Sequence, residues 1–139
     1  MGRNRCHRTY AMTPPYTGRC LCGAVTFRCT DAPLWQGHCH CESCRRATAS
    51  PMTSFLGVRD GAWAWTGAPP ATYASSPGVT RSFCGTCGTQ MAFRAERFPH
   101  EIHFYAATLD RPEDYQPTTH YFSAEQLPWL HFADGLARR

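Results

Sequence analysis

Cys39-His40-Cys41-Glu42-Ser43-Cys44-Arg45-Arg46 is the stretch on which the reading of this chain turns. It sets three cysteines in a C-x-C-x-x-C pattern. Upstream lies Cys20-Leu21-Cys22, a C-x-C pair, and downstream lies Cys84-Gly85-Thr86-Cys87-Gly88, a C-x-x-C pair. A disulfide needs a particular Cα separation and Cβ direction, so cysteines this close in sequence pair poorly with one another. They chelate well, and clustered thiolates in a chain without an export signal read as zinc ligands.

The seven motif cysteines divide into four and three. A structural zinc is closed by four protein ligands, whereas a catalytic zinc keeps three and leaves a position open. Cys20 and Cys22 share one face of an extended strand, and with Cys84 and Cys87 they can close a shell of four thiolates. Glycines around the second pair allow backbone N–H groups to approach the sulfurs. Such a site would pin segments about sixty residues apart, with a contribution to folding of order ~10 kcal/mol. Cys39 and Cys41 are expected on one strand face and Cys44 after a turn, all three reaching a second ion. His38 and His40 alternate with these cysteines and would point away from that ion. An open shell is therefore favoured over one closed by a histidine, with His120 a distant candidate fourth ligand or else a packing residue.

The remaining composition excludes several classes. The 139 residues suffice for one domain, and 42% hydrophobic with 17% charged residues argues against disorder. No apolar run approaches the roughly 18 residues of a membrane span. The N-terminus lacks a secretory signal, and Cys6 stands where a myristoylation signal wants Ser or Thr, so the chain reads as soluble and cytoplasmic. All fourteen basic residues are arginines, scattered and not gathered into a stripe, which disfavours a nucleic-acid partner. A thioredoxin-like role for Cys84 and Cys87 would need a βαβ context, and the spacings match neither common ferredoxin pattern. Cys6 and Cys29 read as bystanders, Cys29 as a small buried hydrophobe.

Residues 1–15 read as a flexible N-terminal extension and 16–139 as a single zinc-binding domain. Within it, Val25, Phe27 and Cys29 alternate with polar residues as a strand does. Phe55–Val58 and Ala62–Trp65 flank Asp60-Gly61, a hairpin signal, and a second turn at Ser75-Ser76-Pro77-Gly78 separates Ala71–Tyr73 from Val79–Phe83. Gln90–Arg94 and Glu101–Ala107 read as a further pair, with Ile102, Phe104 and Ala106 on one face. Asp110-Arg111-Pro112-Glu113 resembles a capping box, so a short helix follows there, and Ser123–Gln126 could start another. The predicted fold is mainly β, as a sandwich, a barrel or a tent-like pair of sheets.

The motifs closely resemble the glutathione-dependent formaldehyde-activating enzyme family (the CENP-V/GFA domain). Tyr16 to Val25, Cys39 to Arg46 and Phe83 to Thr89 carry the resemblance, and Thr108 to Pro112, His120, Leu127-Pro128-Trp129 and Asp134-Gly135 agree. The resemblance implies a β-tent of short antiparallel strands stapled by two zinc ions. It makes Cys20, Cys22, Cys84 and Cys87 the structural ligands and Cys39, Cys41 and Cys44 the holders of a catalytic zinc. The implied reaction joins glutathione to formaldehyde as S-(hydroxymethyl)glutathione, classed as a carbon–sulfur lyase in reverse. One departure is Ala49, where the family commonly has Gly after Thr48, and it bears on the loop beside the trio.

Zinc in three thiolates has its Lewis acidity blunted by their charge, so the site suits a bound thiolate better than water activation. An incoming thiol, glutathione by resemblance, could take the open position and attack an aldehyde. Arg45 and Arg46 could neutralise the trio or clamp a glutathione carboxylate, or else be a solvated pair. Trp129 and Tyr121 are candidate pocket walls or core residues, and no general base stands out. The alternative function is a non-catalytic zinc module for a protein, nucleic-acid or thiol partner. The sequence does not specify an oligomeric state.

Overall fold

A computed structural model describes residues 12–139. The expectations for Cys6 and for most of the N-terminal extension lie outside the described residues. Met12, by contrast, is buried in the main core.

Eleven strands are described: β1 (Tyr16–Arg19), β2 (Thr26–Cys29), β3 (Trp35–Cys39), β4 (Thr53–Arg59), β5 (Trp63–Trp65), β6 (Ala71–Ser76), β7 (Val79–Phe83), β8 (Gln90–Ala95), β9 (Glu101–Tyr105), β10 (Thr119–Tyr121) and β11 (Ala137–Arg138). They form a three-stranded sheet, β1-β2-β5, and an eight-stranded sheet ordered β11-β10-β3-β4-β9-β8-β7-β6. Pairing is antiparallel except at one edge, where β10 runs parallel to both β3 and β11. That edge is laid down by the C-terminal segment returning beside the strand that ends at Cys39.

The alternation read in β2 places Val25, Phe27 and Cys29 in the core. Phe27 stacks on Phe104 of β9 at 4.0 Å between centroids, and Trp65 meets the same ring edge-on at 5.5 Å, so these aromatics join the two sheets. Strand β9 is buried on both faces. Ile102 and Phe104 enter the core between the sheets, while Tyr105 enters a second cluster with Cys39, Cys44, Phe55, Val79 and Phe93. This second cluster forms the floor of the site described below.

The β6–β7 hairpin forms around Gly78 where its turn residues predicted it, and β8 and β9 pair as their alternation suggested. The Asp60-Gly61 signal behaves differently. Gly61 does turn the chain at φ +86, but β4 pairs with β3 and β9 while β5 pairs with β2. The turn carries the chain from one sheet to the other, because Trp63 and Trp65 are drawn into the core around Phe104. Residues 112–114 and 123–125 form single 3-10 turns.

The α-helix, α1 (Glu42–Thr48), falls inside the cysteine motif. Its N-cap is Cys41, whose Sγ accepts the Cys44 N–H at 3.3 Å, the role that Ser or Asp usually fills. Glu42 and Arg46 pair one turn apart at 2.8 Å, and Thr48 Oγ1 donates to the Cys44 carbonyl. The helix ends at Ala49 in the left-handed region, φ 53 and ψ 29. A side chain there is strained by roughly 1–2 kcal/mol, which is why glycine suits the position. Ala49→Gly is expected to raise stability by about 0.5–1 kcal/mol after the added unfolded-state entropy of glycine, measured as an upward shift of the urea midpoint.

Candidate functional site

The first sulfur cluster lies at the junction of the two sheets. Cys20 and Cys22 follow β1 in a turn and not in a strand: Gly23 N–H donates to the Cys20 carbonyl at 3.1 Å, and Gly23 is left-handed at φ 82. Cys84 and Cys87 lie in the connection between β7 and β8. Cys20 Sγ is 3.6 Å from Cys22 Sγ, and Cys22 Sγ is 3.7 Å from Cys84 Sγ. A tetrahedron of sulfurs around zinc at about 2.3 Å has edges of about 3.8 Å, so these separations fit a zinc shell. All four sulfurs fall within 4.8 Å of one another. Backbone N–H groups of Val25 and Cys87 point at Cys20 Sγ and Cys84 Sγ at 3.3 and 3.4 Å. Thr89 donates from its hydroxyl and its backbone to Cys87, holding that thiol down at about 5.

The second cluster is built at the β3–α1 corner. Cys39 is the last residue of β3, Cys41 is the helix cap and Cys44 lies in the first turn of α1. Cys44 therefore arrives on a helix, where the sequence suggested a turn alone. Cys39 Sγ and Cys44 Sγ are 3.9 Å apart, and the three sulfurs lie within 4.8 Å of each other with no histidine nitrogen or carboxylate among them. Donation from Cys39 and then from Cys44 holds the Cys41 thiol far below its ordinary range, with the Arg81 charge acting in the same direction. Both clusters could thus hold a metal ion, and the donor chemistry and spacing suit zinc. Among the described residues all eight cysteines are free, and Cys29 is an inert core thiol pushed up to about 12 by burial.

Arg81 is the residue that the sequence reading missed. It projects from β7 and is 4% exposed. Its guanidinium donates to Ser43 Oγ at 2.8 Å and to Tyr105 OH at 3.1 Å, with Cys44 Sγ at 3.9–4.0 Å. No carboxylate among the described residues forms an ion pair with it. Cys41, whose thiol is held below its ordinary range with help from this charge, supplies the anionic partner that a buried cation needs. The signal was present in Val79-Thr80-Arg81-Ser82-Phe83, whose alternation places Arg81 on the same face as Val79.

A cavity of about 480 Å³ opens from the trio. Cys39, Cys41, Cys44, Ser43 and Arg81 form its polar end, while Trp35, Phe55, Val79, Phe93 and Phe98 form much of its wall. Gly57 opposes Trp35 across the β3–β4 pair, and any Cβ there would collide with the indole. The indole N–H donates to Glu101 Oε1 at 3.1 Å, and His103 Nε2 reaches the same oxygen at 2.6 Å. Of the candidate wall residues, Tyr121 lines the cavity. Trp129 is 65% exposed and stands elsewhere. Arg45 donates to the His40 carbonyl and Arg46 pairs with Glu42, and neither lines this cavity.

His38 and His40 point away from the sulfurs, as their alternation predicted. His40 Nε2 lies 2.8 Å from His120 Nδ1, and His120 Nε2 lies 2.7 Å from Asp134 Oδ2. Both imidazoles are fully buried. Ionised Asp134 can only accept, so with neutral rings His120 donates to it and accepts from His40 in turn. Burial, with His120 nearby, pushes His40 down to about 4, which keeps it neutral. The chain thus braces the residue between Cys39 and Cys41.

Comparison with known proteins agrees with this architecture. A crystal structure of a Rhodobacter sphaeroides protein superposes with a TM-score of 0.58 at 23% identity, covering 68% of this chain and 87% of that one, a likeness of fold. An uncharacterized lyase of Schizosaccharomyces pombe is 34% identical over 80 residues, and the match spans 58% of each chain. The family described as glutathione-dependent formaldehyde-activating enzyme matches residues 15–125. That match covers most of the sequence, all seven clustered cysteines included, and the chain belongs to the glutathione-dependent formaldehyde-activating enzyme family.

Proposed function

We propose that this protein is a zinc-dependent enzyme of the carbon–sulfur lyase type acting on a thiol–aldehyde adduct, with glutathione and formaldehyde as the reference pair. In this reading Cys20, Cys22, Cys84 and Cys87 hold a structural zinc, and Cys39, Cys41 and Cys44 hold a second. The observation that carries it is a three-sulfur cluster, without a fourth protein donor among the described residues, at the end of a cavity. Zinc bound there supplies an open position that favours loss of a thiol proton while leaving the sulfur nucleophilic. The stoichiometry balances without a redox partner: the thiol gives up its proton, a carbon–sulfur bond forms, and the carbonyl oxygen gains a proton.

The protein's own groups arrange that addition. Arg81 and Ser43 stand beside Cys44 and are the donors able to hold the carbonyl oxygen as negative charge builds on it. Apolar side chains form much of the wall leading to the reacting atoms. Arg81→Met is expected to lower turnover by roughly a hundredfold, with zinc content measured in parallel to separate a lost donor from a lost metal. The whole reading is tested by zinc analysis together with exchange spectroscopy on ¹³C-formaldehyde and glutathione. Two zinc ions per chain and accelerated interconversion of free and adduct carbon are expected. Full zinc with unchanged exchange would sink the enzymatic reading in favour of a binding module.

A further inference from the structure

The cavity is poorly matched to the thiol that the family name supplies. Glutathione carries two carboxylates and one ammonium, and each needs a partner once it leaves water. Of the charged groups lining the cavity, Arg81 and Glu101 are already committed, which leaves Arg97 as one cation for two carboxylates. Arg81 stands beside the Cys44 sulfur, where the proposed addition already calls on it. Glu101 accepts from Trp35 and His103. Arg97 lies over the rings of Phe93 and Phe98 at 5.7 and 4.9 Å. Away from the sulfurs the lining is largely aromatic. Phe55 and Phe93 are 6.1 Å apart, Phe93 stacks on His103 at 5.5 Å, and Phe98 stands at the mouth, 39% exposed.

We propose that the thiol accepted by this site carries an aromatic ring, with its sulfur at the Cys39–Cys41–Cys44 cluster and its ring against the Phe55–Phe93–Phe98 wall. This rests on the reading that the trio binds a substrate thiol. Ring packing prefers edge-on or offset contacts at 4.5–7 Å, and the spacing of these phenylalanines provides for both. Removing one phenyl ring from water gains roughly ten- to a hundredfold in affinity, whereas glutathione would leave much of this wall uncovered.

Cobalt(II)-loaded protein provides a binding readout independent of turnover, because a coordinated thiolate adds a sulfur-to-cobalt absorption band. Benzyl mercaptan, glutathione and 2-mercaptoethanol are titrated in turn, the last setting the affinity of the sulfur alone. Benzyl mercaptan is expected to half-saturate at a concentration at least tenfold lower than glutathione. Phe98→Ala, at the exposed mouth, and the milder core change Phe93→Leu are each expected to narrow that ratio. Glutathione binding as tightly as benzyl mercaptan would overturn the inference and leave the thiol-binding reading standing. A spectrum unmoved by all three thiols would overturn both. A preference undiminished in both variants would show that the ring sits elsewhere and overturn the placement.

Discussion

Cys41→Ala is expected to reduce bound zinc from two ions per chain to one and to bring turnover down to the uncatalysed background. A three-thiolate centre that loses a thiolate keeps two protein donors, too few for a stable tetrahedral shell. The change also deletes the helix cap, since Cys41 Sγ accepts the Cys44 N–H, at a cost of about 1 kcal/mol. Cys41→Ser separates the two effects, because a serine hydroxyl caps a helix well but is a poor zinc donor. The serine variant should recover the lost stability in a urea titration and still bind one zinc ion. Turnover persisting in either variant with that centre empty would refute the proposed role of the trio.

The second large effect lies at the other cluster. Cys84→Ala should unfold the chain, whereas Cys41→Ala should not. Cys20 and Cys22 follow a strand of the small sheet, while Cys84 and Cys87 sit between two strands of the large one. A zinc ion there contributes of order 10 kcal/mol, comparable to the whole 5–15 kcal/mol stability of a typical domain. Circular dichroism should report loss of the β signal in Cys84→Ala, and in the unmodified protein once a strong chelator has removed both ions. Cys29→Ala is the control, a buried thiol outside both clusters, which should retain two zinc ions. A folded Cys84→Ala protein with one zinc ion would show that side-chain packing, such as Phe27 on Phe104, holds the sheets together unaided.

The sulfur chemistry was legible because metal ligands cluster in sequence. Spacing, with the four-ligand rule for a closed zinc shell, sorted seven cysteines into the two groups that the fold brings together. The alternation of β2 and β9 was legible for a similar reason, a period of two that burial enforces. Features assembled from single residues far apart were not. Arg81 meets Ser43 across 38 positions, and His40 meets His120 across 80. Helix α1 escaped notice because its cap is a cysteine, a residue type that ranks below Ser, Thr, Asp and Asn as a helix-start signal. Asp60-Gly61 announced a turn correctly, yet a turn fixes the change of direction and not which sheet receives the next strand. Arg45 and Arg46 drew attention by adjacency, while the cation facing the sulfurs came from a strand on the opposite wall.

The reach of Asp134 has a practical corollary. The family match spans residues 15–125, whereas the carboxylate that anchors the stacked imidazoles lies beyond it, where β11 also pairs with β10. The matched span is therefore shorter than the folding unit. A protein trimmed to the former would strand His120 in the interior with its Nε2 proton unanswered, and the strain would travel along the imidazoles to the peptide between Cys39 and Cys41.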